Sequence, residues 1–172
     1  MAPANPYLQH VLTAIMRRGY VRVTVADQIA GLLLDNPGVH PHAIALQFRK
    51  SGRLLDRAEL KAAGLRGNVI ISHEAMAALT GKGEAAPIAA LDGVFLGASF
   101  SYLRQRSVER ARAAGYDTFK IDAVAPECPG CRRLHGELVD WAYLLKIPPK
   151  DCARDGCWAT MMVHIDWYAG LK

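Results

Sequence analysis

At 172 residues, 51% of them hydrophobic, the chain is near the length of a single domain and has enough apolar side chain for an ordinary core. With 22% charged residues and no polar low-complexity run, the composition argues against wholesale disorder, and no stretch reaches the roughly 18 apolar residues of a membrane span. The net charge of +5 is uneven, since residues 1–120 carry 15 Lys and Arg against 9 Asp and Glu while residues 121–172 carry 6 against 7. Any basic face therefore belongs to the first two thirds, and the plainer reading of such an excess is a solvated surface.

The first apolar stretch is broken by Gln9, His10 and Thr13, and its arginines, Arg17 and Arg18, follow it, the reverse of a secretory signal. The expected location is a reducing cytoplasm, or a virion assembled there. Asn5 before Pro6 predicts a helix start, and Leu8, Val11, Leu12, Ile15 and Met16 recur at helical spacing up to Gly19. "YVRVTV" alternates, with Val21, Val23 and Val25 on one side, as a short strand or extended link. Thr24 and Asp27 then open a second helix with Ile29, Leu32 and Leu33, stopped by "DNPG". A third helix is predicted from Pro41 to Gly52, with Ile44 and Phe48 on one face.

Asp56 and Glu59 have the spacing of a capping box, Leu55 and Leu60 that of a hydrophobic staple, and Gly64 a C-terminal stop. "NVII" is strand-like, Ser72 caps a helix through Leu79, and "TGKGEAAP" reads as loop. Pro87 to Ala114 is mostly helical, with Gly93 and Gly97 as weak points and Gly115 as the stop. "YDTFKIDAV" alternates cleanly, Phe119, Ile121 and Ala123 facing one way, and leads into the first cysteine pair. The predicted class is mainly α (α+β): a helical region over 1–83, a connecting helix over 84–115 and a four-cysteine module over 116–172.

All four cysteines lie in that module, spaced Cys128-x2-Cys131-x20-Cys152-x4-Cys157. Two close pairs across such a connection can complete an all-sulfur tetrahedral shell, with Pro129-Gly130 as the tight turn of a metal knuckle and Gly156 in a similar part. A structural Zn²⁺ site is the leading reading. An iron–sulfur cluster, a thioredoxin-like redox pair and unliganded thiols are the alternatives, the redox pair being disfavoured because no second β unit follows the motif. His135 or His164 can replace a cysteine as ligand. "HGE" at 135–137 does not make a zinc deaminase, because there the His-x-Glu precedes the Cys-x2-Cys. A metal with four thiolates has no open position for a reactive water, so no catalytic residue is expected.

The segment from about 107 to 157, "SVERARAAGYDTFKIDAVAPECPGCRRLHGELVDWAYLLKIPPKDCARDGC", resembles the C-terminal motif of phage Mu F-like head morphogenesis or minor capsid proteins, with Cys128, Cys131, Leu134, Gly136, Pro148, Pro149 and Cys157 at matching places. His135 stands where that family has Asp, and Cys152 where its closing histidine falls. The resemblance implies a phage or prophage origin and a non-enzymatic assembly or accessory role with protein partners such as a portal or capsid. The same module is also found attached to bacterial toxins, which keeps a small toxin as an alternative. A second alternative is a nucleic-acid-binding regulator: "VTVADQIAGLLLDNPGVHPHAIALQFRKSG" can form a helix-turn-helix, with Gln47, Arg49, Lys50, Arg53 and Arg57 as the residues that would meet DNA.

Overall fold

The computed structural model describes residues 5–123, 128–152 and 159–165. It divides into two compact units, Met1–Ser99 and Phe100–Lys172, and has the mainly helical α+β character that the sequence predicts. No helix among the described residues is long and apolar enough to cross a membrane.

In the first unit Asn5 Oδ1 accepts the Tyr7 N–H at 2.9 Å ahead of α1 (Leu8–Met16), whose Val11 and Ile15 are fully buried. The alternation at Val21, Val23 and Val25 does not produce a strand. Val21 makes one bridge with Leu79, Val23 is 71% exposed, and Val23–Val25 winds into a 3-10 turn. That turn runs straight into α2 (Ala26–Asp35), so Thr24 does not cap it; Val25 holds the cap position with no side-chain bond. α3 (Pro41–Arg49) is capped by His40 Nδ1, which accepts the His42 N–H, and it ends at Arg49 rather than Gly52. Phe48 from α3 meets Phe95 with ring centres 5.7 Å apart.

The capping box is present ahead of α4 (Arg57–Ala62): Asp56 Oδ1 accepts the Glu59 N–H and Glu59 Oε2 accepts the Asp56 N–H, both at 2.8 Å. "NVII" forms no strand; beside it Ser72 makes a single bridge with Leu54. Ser72 caps α5 (His73–Ala77), which ends short of Leu79 because Leu79 turns aside to its bridge with Val21. The segment read as loop contains the one-turn helix α6 (Gly81–Glu84), started by Thr80 Oγ1 accepting the Gly83 N–H. From the long helix α7 (Pro87–Ala113), Leu91, Val94, Phe95 and Ala98 are buried in this unit.

The second unit takes α7 from Phe100 onward. Gly115 (φ +86°) ends the helix by donating its N–H to Arg112 O while the Tyr116 N–H reaches Ala111 O, both at 2.9 Å. The sheet that follows is antiparallel in the order β2–β1–β3. β1 (Thr118–Ala123) buries Phe119 and Ile121, as its alternation predicts. It pairs with β2 (Leu138–Asp140), Phe119 opposite Val139, and with β3 (Ala159–Val163), Ile121 opposite Met161. Two short strands thus follow the first cysteine pair among the described residues. Both later strands run antiparallel to β1, so no βαβ unit forms. Helices α8 (Pro129–Leu134) and α9 (Trp141–Leu144) fill the connections, and Val108, Phe119, Ile121, Leu144 and Ile147 form one core with three cysteines.

Candidate metal centre

Two connections carry the described cysteines. After β1, Cys128 occupies the N-cap position of α8 with extended backbone (φ −90°, ψ 111°), Pro129 stands at the start of the helix, and Cys131 lies within it. A spacing of three at a helix start brings both side chains to one side, so local geometry alone pairs these sulfurs. Cys152 arrives from the second connection, its N–H donating to Pro149 O at 3.0 Å.

The Sγ atoms of Cys128, Cys131 and Cys152 all lie within 4.8 Å of one another, and the residues are 2%, 2% and 1% exposed. Cys131 Sγ and Cys152 Sγ are 3.9 Å apart. Sulfurs bound tetrahedrally at about 2.3 Å from zinc stand about 3.8 Å apart, whereas a disulfide is about 2.05 Å long. The spacing is compatible with co-ligands of one metal, and none of the three is in a disulfide. Soft sulfur donors select zinc, Cu(I) or an iron–sulfur centre over hard cations. Cys157 and Gly156 lie outside the described residues.

Pro129-Gly130 does turn the chain between the two cysteines, as the first turn of α8, with the Arg132 N–H donating to Cys128 O at 2.9 Å. Gly130 lies inside α8 without the left-handed φ of a turn glycine. What it supplies is room, because a Cβ there would stand 2.6 Å from Asp151 Oδ1 and 3.0 Å from Pro149 Cγ. The second cysteine connection thus rests on the bare backbone of the first. Arg133 holds it there, with Nη2 2.6 Å from Asp151 Oδ2, and that hydrogen bond keeps the Asp151 carboxyl below the usual carboxylate range. The Arg133–Asp151 pair escapes sequence reading, since the two residues belong to separate connections and nothing in their local pattern joins them.

His135 and His164 are outside the sulfur group. His135 Nδ1 accepts the Ala123 N–H at 3.2 Å and lies 3.3 Å from Asp122 Oδ1, while the exposed His164 donates its backbone N–H to Thr118 O. His135 therefore ties the first connection back to the end of β1.

In the first unit α2 and α3 are joined through a turn closed by the Val39 N–H on Asn36 O. Of the five residues assigned to DNA, four are exposed and Arg49 is partly buried. Arg49 turns to Asp92 with its side chain only 13% exposed, and Arg53 is paired with Glu59 at 2.9 Å. Gln47, Lys50 and Arg57 are exposed. No protein-family model, curated protein or solved structure matches the chain.

Proposed function

We propose that the chain is a non-catalytic accessory or assembly protein whose C-terminal unit is built on a structural zinc ion held by Cys128, Cys131, Cys152 and, from the spacing, Cys157. The observation that carries the reading is the convergence of three buried sulfurs within 4.8 Å, drawn from two separate connections. Zinc would supply the folding free energy that links these connections, and a fourth sulfur would close its shell to water. Elemental analysis of the purified chain should give about one zinc, lost in Cys131→Ser. Iron with visible absorption, or metal-free folded protein, would sink the zinc assignment.

The assembly role, with a phage-type portal or capsid as partner, draws its support from the Mu F-like pattern of residues 107–157. Co-expression with a portal and capsid should place the chain in sedimenting particles, and a chain recovered wholly outside them would overturn that role. Regulatory DNA binding is the weaker reading, because Arg49 and Arg53 are already engaged by carboxylates.

A further inference from the structure

We infer that Arg133, Asp151 and Gly130 form a latch that closes the two cysteine connections on each other and so positions Cys152 against Cys131. The proposal rests on the metal reading above and adds to it the residues that set the sulfur spacing. Asp151 is the neighbour of Cys152 in sequence, so wherever its carboxylate is held, the Cys152 backbone is held too. One carboxylate oxygen is taken by Arg133 Nη2 at 2.6 Å, and the other stands over Gly130, 2.6 Å from where a Cβ would be. Arg133 and Gly130 both belong to α8, the helix that also carries Cys131. The latch therefore spans the same two segments as the Cys131–Cys152 pair, whose sulfurs are 3.9 Å apart.

The three residues are energetically coupled in a specific sense. An exposed aspartate can normally swing away from an intruding methyl group at little cost. Here the 2.6 Å bond from Arg133, itself 65% exposed, holds the carboxylate over Gly130, so a methyl at position 130 must either break that bond or push the second connection outward and spread the sulfurs. Removing either Asp151 or Arg133 relieves the tightest contact and leaves Pro149 Cγ at 3.0 Å, which has to give by only a few tenths of an ångström.

Co²⁺ binding by the full chain tests this, since thiolate-to-cobalt absorption reports directly on sulfur ligation. Gly130→Ala should weaken Co²⁺ binding by about tenfold, the range seen when groups supporting a ligand are disturbed. In an Asp151→Ala or Arg133→Ala background the same substitution should cost less than about threefold, a non-additivity that marks direct coupling. If Gly130→Ala alone fails to fold, recovery of folded, cobalt-binding protein in the Gly130→Ala/Asp151→Ala double variant upholds the latch. An equal cost in all backgrounds, no cost in any, or no recovery in the double variant would overturn it. Wild-type chain without thiolate-to-cobalt absorption would instead overturn the metal reading itself, and the latch with it.

Discussion

Arg49 Nη2 lies 3.6 Å from Asp92 Oδ1, both side chains largely withdrawn from solvent, so the cation at the end of α3 serves the interior of the first unit. Its replacement by Met should lower the stability of that unit by about 1 kcal/mol, as expected for a partly screened pair. Duplex DNA binding, measured against salt, should show no sequence preference and a slope unchanged by replacing Arg49, because a neutralised phosphate releases counterion only where a free cation meets it. A slope that flattens in the Arg49 variant would restore the regulator reading.

Metal removal should act on one unit first. Between the cysteine connections the second unit buries Leu144 and Ile147, with Leu134 and Trp141 partly covered, a small apolar store for so long a stretch of chain. Hydrogen exchange after chelation should rise over residues 128–152 while α1 to α5 keep their protection. Uniform loosening of both units, or none, would contradict this.

Glu59 gives the first unit an acid-sensitive element. Its carboxyl is lowered from the ordinary 4.5 to about 2, first by the Asp56 backbone N–H and then by Arg53 and His73. A depressed acid favours folding fully above its unfolded value and loses that contribution as the pH falls through the folded one. Stability of the first unit should therefore decline between pH 4.5 and about 2, and Glu59→Gln should remove that part of the pH dependence. Chemical denaturation at pH 6, 4 and 2.5 decides it.

Core truncation should separate the strand's buried face from its exposed one. Phe119 is 1% exposed at the centre of the sheet, and Phe119→Ala should cost about 3–5 kcal/mol in thermal or denaturant unfolding. Lys120→Ala on the opposite face should stay within about 0.5 kcal/mol.

What the sequence revealed follows from how local each signal is. The Asp56–Glu59 box, the Gly64 and Gly115 stops and the Phe119–Ile121 alternation all depend on neighbours a few residues away, and each is found where it is predicted. Val21 to Val25 makes no strand because alternation needs a partner backbone alongside, and Ala78–Thr80 accompanies residues 20–22 alone before the chain winds into the 3-10 turn. β2 has three residues, too few to show a period, and in β3 Thr160 is the only polar residue of "ATMMV". Thr80 was hidden in a glycine-rich stretch whose composition masks a one-turn helix. At the candidate metal centre residue types and spacing disclose the cysteines, but not the ion pair between Arg133 and Asp151, which exists only once the two connections meet.

The register of β1 against β3 also bears on the order in which the second unit folds. Ile121 must find Met161 across about 40 residues of chain, with β2 and both helices strung between them. Once Cys131 and Cys152 are tied, the path from Ile121 to the tie and on to Met161 shrinks to about 20 residues, and each halving of a loop saves about 0.6 kcal/mol of closure entropy. A tie that forms early thus acts as a shortcut for the search. Refolding in the presence of zinc should complete the outer strand sooner, with β3 docking onto a hairpin already closed at its far end.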